Sequence, residues 1–195
     1  MKDREADDEH WSKLALDAAR GHSPSLRQLV VYLLPRVRNL VRYLVRGDRD
    51  VDDLSQDALL SILQGLSSYR AEGAFRSWAD RVVVRRVFAA RRALARRLES
   101  SLDAEEVAGE PPALPDHYYA RRQLALELDS LPEPQRDTLV LHYVLGMTVP
   151  EISTETNAPE ETVRSRLRLG RQRLRERLTR EPALDPPVDG AGSVE

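Results

Sequence analysis

The sequence predicts an all-α protein of two small helical domains, which a flexible, acidic, proline-containing linker joins. Nearly every apolar stretch repeats with the spacing of a helix, and none alternates apolar and polar residues as a half-buried strand does. The helical spacing disappears between Glu99 and Asp116, where three prolines stand among acidic residues. A chain of 195 residues is long enough for one mid-sized domain or two small ones. We therefore expect domains at residues 23–98 and 117–180, separated by a linker at residues 99–116.

The first domain is predicted to contain several helices and to follow an acidic segment, residues 1–22. Within that segment, Trp11–Ala19 has the pattern of a short helix. Pro35 is expected to kink or break the next helix because proline lacks an amide donor. The domain ends with a long helix from Gly73 to about Leu98. The residues that predict a buried face before the proline are Leu26, Leu29, Val30, Leu33 and Leu34.

The second domain is predicted to contain a helix-turn-helix. Thr148 followed by Glu151 is a capping-box pattern, which predicts the start of a short helix at Val149–Thr156. Asn157 tolerates the left-handed conformation that ends a helix, and Pro159 suits the first turn of a new one. The inner face of that longer helix is expected to consist of Val163, Leu167, Gly170, Leu174 and Leu178. In such a motif the second helix enters the major groove of DNA.

The charges of the chain are strongly segregated, although its net charge is only −2. Residues 70–98 contain nine arginines against two acids, and residues 161–180 contain eight against two. Residues 99–120 contain six acids and no basic residue, and the proline- and glycine-containing tail at 181–195 is expected to be disordered. Arginines that merely solvate a helix face are the simpler interpretation, but the cap, the turn and the apolar spacing agree on a DNA-binding motif. Two cationic helices in separate domains indicate two nucleic-acid contacts.

No residue pattern indicates catalysis, a metal or a cofactor. The absence of cysteine excludes disulfides, zinc ribbons and iron–sulfur clusters and fits a reducing cytosol. The four histidines are scattered without metal-ligand spacing, and no glycine-rich phosphate loop is present. Apolar runs fall far short of the roughly 18 residues that a membrane span requires, and the acidic N-terminus is unlike a secretory signal. We therefore expect a non-enzymatic protein of the cytoplasm with no membrane insertion.

Five short motifs between residues 125 and 178 carry a family resemblance. They are LDSLPEPQR at 128–136, LVLHY at 139–143, GMT at 146–148, EI at 151–152 and ETVRSRL at 161–167. Together they resemble region 4 of bacterial extracytoplasmic-function sigma factors, the two-domain members of the sigma-70 family. In that family, region 4 binds the −35 promoter element and touches the flap of RNA polymerase. The resemblance implies −35 contacts by residues on the outer faces of the second helix, namely Thr162, Arg164, Ser165, Arg168 and Arg171.

The stretch from Asp48 to Asp57 resembles region 2.2 of the same family, whose helix docks on the clamp helices of the largest polymerase subunit. Carboxylates near a helix N-terminus interact favourably with the helix dipole and remain accessible to a basic partner. From spacing alone, a capped surface helix without a partner is the simpler interpretation, whereas the resemblance favours docking. The implied core-polymerase contacts are Asp52, Asp53, Leu54, Gln56 and Asp57.

The stretch from Tyr69 to Trp78 resembles the loop and helix start with which the family recognises the −10 element. Promoter melting requires a pocket for unpaired bases and a cationic wall beside it. We expect the loop at residues 71–74 to form that pocket, whereas Phe75 and Trp78 beside several valines are more typical of core packing. The implied −10 contacts are Arg70, Ala71, Glu72, Gly73, Ala74, Arg76, Trp78, Arg81 and Arg85.

The resemblance as a whole implies a dissociable promoter-specificity subunit of bacterial RNA polymerase. Its implied partners are core RNA polymerase, through the clamp helices and the flap, promoter DNA at the nucleoid, and an anti-sigma factor. The alternative is a helix-turn-helix regulator that binds DNA independently of polymerase. A regulator should carry a ligand pocket or a phospho-acceptor fold, whereas this first domain carries a second basic helix and an acidic docking helix.

Overall fold

A computed structural model describes residues 2–99 and 116–180, and all secondary structure within these ranges is helical. The predicted linker, apart from its two end residues, and the predicted tail lie outside the described residues. A short 3-10 turn, Leu66–Ser68, follows the third helix, and a π-helical turn, Val140–Val144, follows the sixth. The helices are α1 (Lys2–Ala19), α2 (Ser23–Leu44), α3 (Val51–Gly65), α4 (Phe75–Glu99), α5 (Asp116–Asp129), α6 (Glu133–Leu139), α7 (Val149–Thr156) and α8 (Glu160–Arg180).

Helices α1 to α4 form the first domain, in which α2, α3 and α4 pack on one another and α1 covers α2 and the start of α4. The core of this domain includes Leu29 and Leu33 of α2, Ile62 of α3 and Phe75 of α4, and all four are fully buried. Burying such side chains contributes about 1.5–3 kcal/mol each relative to leaving them in water. The predicted helical domain is therefore present, with α1 longer than the short helix that the sequence pattern indicates.

Helix α2 continues through Pro35, so the predicted break is absent. Pro35 has no amide hydrogen, so the carbonyl of Val31 lacks its usual helical donor. Val31 is 75% exposed, and water can therefore donate to this carbonyl. The buried face is also narrower than predicted, because Leu26 and Leu34 are 36% and 49% exposed. A face that packs on two neighbouring helices buries its central positions and leaves its edges open.

Helices α5 to α8 form the second domain, where α8 crosses α6 at close range. A Cβ atom added at Gly170 would lie 3.0 Å from Cδ1 of Leu139, so glycine permits this approach of the two helices. Val163 is fully buried as predicted, whereas Leu178, near the end of α8, is 53% exposed and departs from the predicted inner face. In the described ranges, no helix combines the length and the apolarity needed to cross a bilayer.

Candidate nucleic-acid interface

The turn between α7 and α8 is built by local hydrogen bonds. The backbone N–H of Thr148 donates to Oε2 of Glu151 at 2.9 Å, and the N–H of Glu151 donates to Oγ1 of Thr148 at 3.5 Å. Asn157 ends α7 in the left-handed conformation, with a φ of 51°. The carbonyl of Pro159 then accepts the first hydrogen bond of α8, from Val163 at 3.0 Å. The predicted capping box, left-handed turn and second helix are thus confirmed.

Helix α8 presents three arginines on one face. Arg164, Arg168 and Arg171 follow the i, i+4, i+7 spacing that places side chains on one side of a helix, and all three are exposed. Thr162 and Ser165, the other two residues implied for the −35 element, are half-buried; Ser165 lies beside this face, whereas the helical spacing places Thr162 on the opposite side of α8. An exposed stripe of three guanidinium groups matches the phosphates and guanine edges of a major groove.

Arg164 is the member of this face with ion pairs in its own helix. Its guanidinium lies 2.7 Å from the carboxylate of Glu160 and 3.4 Å from that of Glu161. Exposed pairs of this kind stabilise by only about 0.3–0.5 kcal/mol. The two carboxylates therefore orient Arg164 without preventing its transfer to a phosphate or a base.

The loop between the 3-10 turn and α4 is the second candidate DNA contact. Residues 70–73 are exposed and Ala74 is half-buried, and Ala71 adopts a left-handed conformation with a φ of 57°. Phe75 is fully buried, which confirms it as a core residue. Trp78 is half-buried, and its ring stacks on that of Phe75 at a centroid distance of 5.7 Å. The loop is therefore followed directly by a pair of stacked aromatic rings at the start of α4.

Arg76, implied as a −10 contact, is engaged inside the first domain. Its Nη2 donates to the carboxylate of Asp7 at 2.7 Å, and its Nε donates to Oη of Tyr32 at 2.8 Å. Burial lowers the pKa of Arg76, but the hydrogen bond to Tyr32 and the charges of Asp7 and Asp8 outweigh burial, so the pKa lies above its ordinary value. Arg76 therefore joins α1 to α4.

The residues implied for polymerase docking lie along the first half of α3. Two of the carboxylates already have partners: Asp52 lies 3.0 Å from Arg38, and Asp57 lies 2.8 Å from Arg86. Both pairs are largely exposed and can exchange for contacts with a basic partner. Exposed positions are Asp52, Asp53, Gln56 and Asp57, and Leu54 is half-buried.

Comparisons with known proteins place this geometry in a family. The family model described as Sigma-70 region 2 matches residues 29–97, and the one described as Sigma-70, region 4 matches residues 121–174. The ECF RNA polymerase sigma factor SigE of Mycolicibacterium smegmatis is 30% identical over 183 residues, covering 90% of this chain and 71% of that protein. The chain belongs to the extracytoplasmic-function sigma factors of the sigma-70 family. It is therefore a factor for transcription initiation by RNA polymerase.

Further similar proteins are another relative by sequence and two solved structures that share the fold. The ECF RNA polymerase sigma-E factor of Escherichia coli K12 is 29% identical over 169 residues, covering 80% of this chain and 87% of that protein. The protein CnrH, solved in complex with the cytosolic domain of CnrY, shares the fold at a TM-score of 0.56 and 23% identity, covering 88% and 98% of the two chains. The sigma factor RpoE of Bartonella quintana, solved with the anti-sigma factor NepR, shares it at a TM-score of 0.59 and 21% identity, covering 80% and 98%.

The two domains of this sigma factor are packed together through Asp129. Both terminal nitrogens of Arg42 donate to this carboxylate, at 3.0 and 2.8 Å, and the backbone N–H of Gly47 donates to it at 3.3 Å. Burial lowers the pKa of Arg42, but the bond to Asp129 and the charges of Asp129 and Asp48 raise it above its ordinary value. A two-pronged pair of this geometry fixes the orientation of both partners.

A second set of contacts lies beside the first. Arg91 donates to both oxygens of Asp137, each at 2.9 Å, and to the carbonyl of Leu44 at 3.2 Å. Arg136, only 2% exposed, donates to the same carbonyl at 2.8 Å. Burial lowers the pKa of Arg136 more than the charge of Asp137 raises it. Sequence reasoning missed this interface; the adjacent charges of Arg136 and Asp137 before an apolar run were its only local indication.

The packing also brings the basic face of α4 against α7. Arg81 pairs with Glu151, and Nε of Arg85 lies 3.4 Å from Oε1 of Glu155. Arg81 and Arg85 are both implied −10 contacts, so in this arrangement two of the cationic groups face carboxylates of the helix-turn-helix. The side chain of Arg85 is still 68% exposed, whereas that of Glu155 is 11% exposed.

Proposed function

We propose that this sigma factor directs promoter-specific initiation by binding the −10 and −35 elements with its two domains. The observation that carries the proposal is the exposed face of Arg164, Arg168 and Arg171 on the second helix of a capped helix-turn-helix. A helix presented in this way fits the major groove, where arginine bonds guanine with two hydrogen bonds. Its role is recognition and binding, without a catalytic step of its own.

The −10 element is proposed to meet the loop at residues 70–74 and the basic face of α4. The loop is exposed and strained at Ala71, and Arg81 and Arg85 follow it on the same helix. Unpaired bases could be held in the loop while the arginines neutralise the adjacent phosphates. Since both arginines face carboxylates of α7, separation of the two domains would free them for this contact.

The clamp helices of core polymerase are proposed to bind α3, and the flap of the polymerase is proposed to bind the second domain. Support comes from the exposed carboxylates of Asp52, Asp53 and Asp57 near the N-terminus of α3. Asp53 and Leu54 line a cleft of about 540 Å³ whose opposite wall includes Glu133 and Arg136 of the second domain. Polymerase would gain full access to this helix only when the cleft opens.

An anti-sigma factor is the third proposed partner. The related folds CnrH and RpoE were solved with the cytosolic domain of CnrY and with the anti-sigma factor NepR, respectively. A partner that bridges the two domains would hold the packed arrangement and keep Arg81 and Arg85 from DNA. We further propose that the free factor acts at the nucleoid once this partner has left.

Run-off transcription on fragments of the source genome tests the proposal. Purified bacterial core RNA polymerase is assayed with and without the factor, and the upstream sequences of new transcripts are aligned. Discrete factor-dependent transcripts with two shared upstream elements would support the proposed function. Sequence-specific DNA binding without polymerase and without transcripts would favour the independent regulator instead, and the absence of both activities would contradict the promoter-binding assignment.

A further inference from the structure

The loop proposed to bind the −10 element is tied to the core by one buried tyrosine. Tyr69 is only 6% exposed, and its Oη donates to the carbonyl of Gly73 at 2.8 Å. This bond closes the loop around Ala71, a non-glycine residue with a left-handed backbone. Such a conformation is strained for a residue with a side chain and persists when surrounding contacts hold it.

The same tyrosine hydroxyl is bonded to α1. Oγ of Ser12 lies 2.8 Å from Oη of Tyr69. A phenol has a single proton, and this one is given to Gly73, so Ser12 is the donor of the second bond. The hydroxyl of Ser12, the hydroxyl of Tyr69 and the carbonyl of Gly73 therefore form a continuous relay from α1 to the loop.

Helix α1 is itself fixed against the first domain next to this relay. The ring of Trp11 stacks on that of Tyr32 at a centroid distance of 3.5 Å, and its Nε1 donates to Asp7 at 2.8 Å. Asp7 also accepts from Arg76, one residue after the start of α4. The acidic N-terminal segment is thus anchored on both sides of the loop, at Tyr69 and at Arg76.

We propose that α1 is a positioning element for the −10 loop and that Ser12 and Tyr69 are its positioning residues. The relay fixes the Gly73 carbonyl and thereby the shape of the loop before any base arrives. A pocket that is already shaped discriminates between bases better than one that must be ordered on binding. The inference rests on the proposed function, because it assumes that this loop holds an unpaired −10 base.

The test compares Tyr69→Phe with the unmodified factor in complete holoenzyme. The phenylalanine ring preserves packing on Phe75 and Trp78 and removes both relay bonds. The template is a promoter located by run-off transcription, together with versions carrying single-base changes in the −10 element. We expect discrimination between the original and changed −10 elements to fall about three- to tenfold, as for the loss of one or two hydrogen bonds. Binding to core polymerase and to the −35 element should stay unchanged.

Tyr43→Phe is the matched control, since Tyr43 is also a buried tyrosine of the first domain but lines a cleft with Arg121 and Leu145 of the second domain. Ser12→Ala should reproduce part of the defect, and the double variant should be no worse than Tyr69→Phe alone, because both changes interrupt one relay. Unfolding temperatures measured in parallel separate a loss of stability from a loss of positioning.

Two results would overturn the inference while the proposed function stands. One is an unchanged −10 preference of Tyr69→Phe. The other is a uniform fall in transcription on every −10 variant together with a lowered unfolding temperature, which would make Tyr69 a stability residue only. Failure of the unmodified factor to give any transcript would instead overturn the proposed function, and this inference with it.

Discussion

At the residue scale, the arginines of this sigma factor fall into two groups, those exposed to water and those buried between the domains. Arg168 and Arg171 are exposed on the outer face of α8, whereas Arg136 is 2% exposed between the domains. A guanidinium in water keeps its freedom to bind phosphate, whereas a buried one requires carboxylates or carbonyls to offset its desolvation. Burial and partners, rather than local charge density, therefore decide which arginines are candidates for DNA binding.

Replacing Arg168 by alanine tests the −35 contact. If its guanidinium bonds a base, holoenzyme affinity for the promoter should fall by about 1–3 kcal/mol, and the loss should shrink when the −35 sequence is already altered. Fluorescence anisotropy with labelled promoter fragments measures both quantities. Arg173→Ala is the control, because Arg173 lies on another face of α8 and donates to Gln135 at 2.9 Å. A loss that is equal on every sequence would make Arg168 a phosphate contact.

At the element scale, the helix-turn-helix depends on the capping box that starts α7. Thr148 and Glu151 satisfy amides that the first turn of a helix leaves without partners. Hydrogen bonds from the backbone and then the hydroxyl of Thr148 hold the pKa of Glu151 below its ordinary value. The stabilisation is therefore complete at neutral pH and is lost as the pH falls below the ordinary glutamate value of 4.5 and through the lowered pKa.

Thr148→Ala should destabilise the second domain by about 1 kcal/mol, because it removes the cap. Glu151→Gln should have a smaller effect at neutral pH, since glutamine can also complete a capping box. Denaturant unfolding followed by circular dichroism gives both values, and the threonine variant should also show a weaker dependence on acidification. Thr154→Ala is the control within α7, where the hydroxyl donates to Pro150 at 3.1 Å and caps nothing. Equal losses for Thr148→Ala and Thr154→Ala would contradict the role of the cap.

At the scale of the whole molecule, ion pairs between domains hold the basic face of α4 against α7. The Arg42 and Asp129 side chains are 13% and 18% exposed, whereas Arg81 and Glu151 are 44% and 40% exposed. Salt screens an exposed pair such as Arg81–Glu151 much more than a mostly buried pair such as Arg42–Asp129. The Arg42–Asp129 pair is therefore the stronger restraint on opening, and the pairs along α4 add to it at low ionic strength.

Asp129→Asn should shift the free factor towards an open arrangement by at least about tenfold, because it removes from the mostly buried Arg42 the one of its two carboxylate partners that lies in the second domain, and leaves Asp48. The chain contains no cysteine, so Ser67→Cys and Gln172→Cys provide one dye site in each domain for distance measurements. Single-molecule energy transfer would report a larger population at long distance.

Asp17→Asn is the control for this experiment, because it removes the same charge from an exposed pair with Arg20, the residue that follows α1. Its distance distribution should match that of the parent. If Asp129→Asn also leaves the distribution unchanged, the pair does not restrain the domains.

The sequence by itself determined the helical fold class, the cap and turn of the helix-turn-helix, and the family of this protein, but not the length of α1 or the course of α2 through Pro35. Periodic apolar residues, the capping box at Thr148 and the left-handed Asn157 act over a few residues, so the pattern alone predicts them. The pattern also predicted Phe75 to be a core residue, unlike the loop that precedes it, and Phe75 is fully buried. The implied DNA and polymerase contacts follow from the resemblance and stay predictions.

Only the tertiary structure decided how charged residues are used. Arg42 and Asp129 stand 87 residues apart, and each looks like a solvated surface charge in its own helix. Tyr69 and Ser12, which are 57 residues apart, likewise meet only because α1 packs against α2, α4 and the 3-10 turn. Hydrogen bonds and ion pairs depend on distance and burial in space, which local periodicity does not encode. The packing of helices therefore decides which of these polar groups bond each other and which remain for DNA.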